Sequence, residues 1–206
     1  MGLFSRTPKS SPAVATGSPV AVVAGPDLAH LTGNYVIDTT HSAIGFSVRH
    51  AMVTNVRGSF TEYEGLLHLD GADPAASTAA ITIKVASVDT NQAQRDEHLR
   101  TGDFFAVEAH PEITFRSTSA QRLGEESYRM TGDLTIKGTT RPVVLDLEYT
   151  GTATDAYGID RVGFEGGTTI DRTEWGLSYN AALETGGVLI GEKVKLSFDI
   201  SAVKAA

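Results

Sequence analysis

The feature that most constrains this chain is a period-two alternation of apolar and polar side chains that returns along much of its length. Between Ser127 and Lys137 one parity reads Tyr128, Met130, Gly132, Leu134, Ile136 and the other Arg129, Thr131, Asp133, Thr135, Lys137. The contrast recurs in Val143, Leu145, Leu147, Tyr149 against Asp146, Glu148, Thr150, and in Val194, Leu196, Phe198, Ile200 against Lys195, Ser197, Asp199, Ser201. Shorter versions run through Ile44, Phe46, Val48, through Ile81, Ile83, Val85 and through Ile113, Phe115. Successive strand side chains point to opposite faces, so each segment is a strand with one apolar face. A sheet of such strands must hide that face, and the chain offers no set of amphipathic helices to cover it. The sheet is therefore expected to close on itself or fold over, and the content of its interior becomes the functional question.

Composition narrows what that interior can serve. At 206 residues and 41% hydrophobic the chain can build one sizeable core. A formal net charge of −8, with no basic patch legible along the sequence, argues against a nucleic-acid partner. The absence of cysteine excludes disulfides, thiolate nucleophiles, Fe–S clusters and cysteine zinc sites. No apolar run approaches the roughly 18 residues of a membrane-spanning helix. The stretch Val20 to Ala24 is shorter than the ~7–15-residue core of a secretory signal. Arg6 stands where a myristoylation pattern requires Ser or Thr. These readings predict a cytoplasmic protein without stable membrane insertion.

Residues 1–33, rich in Ser, Pro and Gly, read as a disordered N-terminal tail, with room for a short helix near Asp27 to Leu31; residues 34–206 read as the barrel domain. About eight strands are expected, near 34–40, 43–50, 58–70, 79–88, 112–118, 127–137, 142–156 and 159–172, with a last one near 188–203 as a ninth or in place of the first. Turn chemistry at Asp70–Pro74, Gly124–Glu126, Lys137–Thr140 and Asp155–Gly158 makes the connections hairpins and the pairing antiparallel. The apolar parity slips between Phe60 and Tyr63, which predicts a bulge near Gly65. Small residues in Gly163–Gly167 are expected to let the wall curve or leave room inside. One segment breaks the pattern. Asp89 or Thr90 is placed to cap a helix through 91–100 that stops at Gly102 and lies across a barrel end, presenting Ala93, Leu99, Phe104 and Phe105 inward.

Polar candidates are few. His41 and Ser42 are adjacent, so on a strand they face opposite ways and make no catalytic couple. Asp89, Asn91, Arg95, Asp96 and His98 lack the spacing of a metal site. Arg95 is expected to clasp the helix to a rim through Asp89 or Asp96, with contact to a polar ligand head as the second reading. His50 shares the inward parity of Phe46 and Val48, so its imidazole is either satisfied in the core or meets a ligand head group. Trp175 reads as a barrel-end plug or a ligand contact. Glu62 and Glu64 share a face, but nothing in the sequence raises their acidity. No catalytic residue, metal or cofactor is predicted.

Five ordered segments carry a resemblance to a known family: His41-Ser42-Ala43-Ile44-Gly45-Phe46-Ser47-Val48-Arg49-His50 with Gly58-Ser59-Phe60; Arg95-Asp96-Glu97-His98-Leu99; Asp103-Phe104-Phe105; Pro111-Glu112-Ile113-Thr114-Phe115; and Gly132 through Pro142. Over about Asn34 to Lys204 the chain resembles the YceI-like family. That resemblance implies an all-β, lipocalin-like antiparallel barrel, longer than a standard lipocalin, whose cavity holds a polyisoprenoid chain such as a quinone tail, without catalysis. The expected function is therefore non-enzymatic binding, storage or transport of an isoprenoid lipid, the alternatives being an enzyme acting on a lipid and a structural barrel without ligand. The inward positions Phe46, Val48, Ile83, Phe115, Leu134, Ile136, Leu145, Phe164 and Phe198 are the expected lining, with His50, Arg95 and Trp175 at the ends. A homodimer is left open as a partner.

Overall fold

The computed structural model describes residues 28–184 and 186–205. The chain forms β1 (Gly33–Ile37), β2 (Ala43–His50), β3 (Thr54–Phe60), β4 (Tyr63–Leu69), β5 (Thr78–Lys84), β6 (Val88–Asp89), α1 (Ala93–Arg100), β7 (Glu112–Arg122), β8 (Ser127–Ile136), β9 (Thr139–Thr154), β10 (Asp160–Asp171) and β11 (Ile190–Lys204). Strands β1-β4-β5-β7-β8-β9-β10-β11 pair in that order, and β1 pairs with β11, so eight antiparallel strands close an all-β barrel with one short helix. Its seam is short. Only Tyr35, Val36 and Ile37 of β1 pair with Lys204, Val203 and Ala202 of β11.

Three wall strands are interrupted at mid-height. β1 and β2 are separated by residues 38–42, β3 and β4 by 61–62, and β5 and β6 by a 3-10 turn at Val85–Ser87. The pieces β2, β3 and β6 therefore form an upper tier on the edge of β11. Where the backbone of β1 leaves β11, a side chain continues the ladder: Ser42 Oγ donates to Ser201 O at 3.1 Å and accepts from Ser201 N at 2.9 Å. The parity slip after Phe60 comes from the interruption at 61–62, while Gly65 sits in unbroken register opposite Ile81. The expected bulge near Gly65 is thus corrected to a break just upstream of Tyr63. The four expected hairpin turns join β4 to β5, β7 to β8, β8 to β9 and β9 to β10.

The lower end is closed by the segment that precedes β1. Leu28 precedes and Leu31 ends a 3-10 turn at Ala29–Leu31, the two leucines being 7% and 4% exposed, and Tyr35 Oη donates to Leu31 O at 2.9 Å. The expectation of a disordered stretch through residue 33 fails for residues 28–33, because two leucines cover the barrel's open end; the rest of that stretch lies outside the described residues. At the upper end, beyond β6, no further strand among the described residues continues the wall. α1 follows there, and Trp175, 2% exposed on a 3-10 turn at Arg172–Trp175, donates its indole N–H to Leu134 O at 3.0 Å.

α1 is capped by Gln92, whose side chain accepts from Arg95 N, rather than by Asp89 or Thr90. Gly102 is not the stop, since the helix ends at Thr101 in an extended conformation. Two glycines show why the interior stays open. A Cβ at Gly58 would lie 2.5 Å from Cζ of Phe46, and one at Gly166 would meet the Asp146 carbonyl and the Phe198 ring. Each ring therefore lies down over a glycine on the neighbouring strand and leaves the barrel axis free.

Candidate ligand-binding site

Two adjoining cavities occupy the barrel. The lower one, about 210 Å³, is lined almost entirely by apolar side chains, among them Ile83, Phe115, Leu134, Leu145, Phe164 and Phe198. The upper one, about 300 Å³, is lined by Phe46, Val48, His50, Arg95 and Trp175 together with Leu99, Phe104, Phe105 and Ile170. Phe60, Ile113, Ile136 and Leu196 border both and form a waist between them. All twelve residues singled out in the sequence thus stand on one cavity wall or the other. Together the chambers reach the range of about 300–1,000 Å³ usual for small-molecule sites.

Burial distinguishes this interior from a filled core. Leu145, Leu147, Tyr149, Phe164, Leu196 and Phe198 occupy inward positions yet are only partly buried. Their accessible surface faces the cavity. Leu134 and Ile136, at 7% exposure, pack more tightly. The long strands set the shape: the fifteen residues of β11 extend about 50 Å at ~3.3 Å each.

The upper chamber carries the polar groups. His50 ends β2, and its ring makes no hydrogen bond to the described residues. The expected pairing of Arg95 with Asp89 or Asp96 is not formed; its Nε donates to Thr90 Oγ1 and its Nη2 to Thr90 O, both at 2.7 Å. Asp96 is buried and accepts from Thr90 N at 2.9 Å, so Thr90 is the hub that joins helix to wall. Ala93 is exposed rather than inward, because the cap at Gln92 rotates Arg95, His98 and Leu99 onto the cavity side. Sequence reasoning missed Arg49 and Arg172 among the lining. Arg172 is buried and donates to Gly191 O at 2.9 Å, to Ile190 O at 3.3 Å and to Leu177 O, without an ion pair to a carboxylate among the described residues; burial pushes its guanidinium below its ordinary pKa. The sequence placed it at the end of the strand expected over 159–172, with no signal of a buried role. The chamber's lining contains no Asp or Glu.

His41 and Ser42 serve the seam, not chemistry. His41 Nδ1 lies 2.8 Å from Asp38 Oδ2, and Arg161 reaches the same carboxylate and Asp155 Oδ2, the latter at 3.0 Å. Among the described residues no cluster of three or more His, Asp or Glu could hold a metal.

A closed antiparallel barrel around an apolar two-chambered cavity defines a lipocalin-like fold. The family profile of the YceI-like domain matches residues 35–202, and the chain belongs to that family. It is 37% identical over 149 residues to a UPF0312 protein of Azotobacter vinelandii, covering 71% of this chain and 78% of the relative. Burkholderia cenocepacia BcnA shares the fold at TM-score 0.71 and 23% identity, covering 80% of this chain and 98% of BcnA. A polyisoprenoid binding domain from Saccharophagus degradans does so at TM-score 0.64 and 17% identity, covering 83% and 98%.

Proposed function

We propose that this protein binds an isoprenoid lipid, such as a quinone or polyprenyl chain, for storage or transport, without catalysing its conversion. The observation that carries this reading is the set of inward apolar residues left partly accessible along two adjoining cavities. Apolar chain entering such a space contributes about 0.8 kcal/mol per buried methylene before ordering costs. The chain occupies the lower chamber and passes the waist at Ile113 and Ile136; the polar head lies in the upper chamber within reach of His50 and Arg95. The fold shared with the polyisoprenoid binding domain of Saccharophagus degradans supports the lipid assignment. The reading without catalysis is supported by the lining of the lower chamber, which is apolar almost throughout and offers a chain no acid–base pair.

Mass spectrometry of organic extracts from gently purified protein tests the reading. The expected species is an isoprenoid chain with a polar head, at near-stoichiometric amount. An extract without lipid, together with failure of the emptied protein to take up a polyprenyl quinone, would overturn it.

A further inference from the structure

The hairpin β2–β3 differs in chemistry from the rest of this acidic chain. Residues 43–60 contain Arg49, His50 and Arg57 and no acid. Pairing places Lys195 of β11 opposite Ser47, and Ser47 opposite Arg57, so Lys195, Ser47 and Arg57 run in one row across the outer face, with Arg49 at the next outward position. All three cations are exposed, and none has a carboxylate partner among the described residues. Over 43–60 and 190–197 the one acid is Glu192, against Arg49, Arg57, Lys193 and Lys195; Lys193 is held by Asp171 at 3.3 Å. This basic face is assembled from three strands, which is why no charge run shows it in the sequence.

The tip of the same hairpin is apolar. Met52 and Val53 are 63% and 82% exposed. Ala51 and Met52 both adopt left-handed backbone, φ 49° and 59°, where Asn and Gly are usual, and Val53 N donates to His50 O to close the turn. The turn thus holds an exposed methionine at a position where a small polar residue would be favoured. Ala51 N donates to Leu189 O at 2.7 Å, tying the tip to a segment whose Val188 is 38% exposed. Arg49, His50, Leu189 and Ile190 line the upper chamber, so tip and cavity share this end of the barrel.

We propose that the β2–β3 hairpin docks the barrel on an anionic lipid surface, Met52 and Val53 entering the interface while Arg49, Arg57 and Lys195 meet lipid phosphates. Charge complementarity selects this occupant: a cationic face with an apolar tip fits an anionic bilayer, while the rest of a chain of net charge −8 is repelled by it. Docking here brings the chamber that holds the polar groups to the surface. The inference goes beyond lipid carriage and stands whether or not the barrel is filled.

Flotation of the full chain with phosphatidylcholine vesicles, with and without phosphatidylglycerol, tests it. The wild type is expected to float with the anionic vesicles only and to be released by added salt. Arg57→Gln and Lys195→Gln should each lower partitioning about fivefold. Val53→Asp and Met52→Ser should lower it further, with unchanged melting curves and unchanged barrel lipid. Failure of the wild type to float with anionic vesicles at low salt overturns the proposal, as do variants that float like the wild type. A dimer in sedimentation velocity that Val53→Asp dissolves, without vesicle binding, overturns it in favour of a second copy. Vesicle binding by a protein whose barrel never carries lipid supports docking and removes the carrier reading instead.

Discussion

At Gly58 and Phe46 a missing side chain on one strand lets an aromatic ring on the next lie against the wall. Gly58→Ala places a methyl where the ring now rests, with the Phe46 ring and the Thr90 methyl the nearest atoms in its way, and so drives the ring into the upper chamber. The expected outcome is a clear fall in lipid recovered per mole of protein, with a modest fall in melting temperature because the Thr90 methyl must also give way. Unchanged lipid content would show that the upper chamber is not used. Leu134 and Leu145 make a second contrast. Leu145 is partly open to the lower chamber, whereas Leu134 is packed and its carbonyl accepts from Trp175. Leu145→Trp should displace lipid with little loss of stability, while Leu134→Trp should overpack and cost about 1–3 kcal/mol. Denaturant unfolding of emptied proteins separates the two. Inward parity put both residues on the lining from sequence, but parity reports only which face a side chain takes. How much empty space stands in front of it depends on rings and glycines from other strands, and no local pattern carries that.

Among the elements, the segment closing the lower end has the largest consequence for how the protein is handled. Truncation before Leu28 should leave barrel stability untouched. Truncation through Thr32 removes Leu28 and Leu31 from the lower cavity and should cost about 2–4 kcal/mol once the entropy of ordering them is deducted. Equal melts for the two truncations would mean that the turn at Ala29–Leu31 is dispensable. The long strands β8 to β11 were legible because alternation runs unbroken through them. The break between β1 and β2 was legible as the gap between strands near 34–40 and 43–50, the one at 61–62 only as a parity slip, and the 3-10 turn at Val85–Ser87 not at all, since it spans three residues and its polar atoms find distant partners. Ser42 illustrates this: its hydroxyl serves the backbone of Ser201, which lies at the other end of the chain.

For the molecule as a whole, closure rests on a seam of three residue pairs, and a charge network spans it. Arg161 and then His41 hold the Asp38 carboxyl well below the usual carboxylate range. A carboxylate whose folded pKa is depressed stabilises fully above its unfolded value of about 3.9 and loses that contribution as pH falls through the folded value. Asp155 and Asp171 are lowered too, which adds to the same trend. The melting temperature should therefore decline below about pH 4, and Asp38→Asn should be less stable at neutral pH with a shallower acid decline. Parallel acid limbs for the two proteins would remove Asp38 from the seam.

The two ends of the barrel are shut by different means. The lower tier is a ring of backbone hydrogen bonds, whereas the upper wall ends at β6 and is completed by α1, Trp175 and the phenylalanines that follow the helix. A guest that leaves through the upper gap needs side chains to part but no strand pair to break. Release and unfolding are then separate clocks: substitutions around Phe104 and Phe105 should change the residence time of a bound molecule, while amide hydrogen exchange in β8 to β11 keeps its pace.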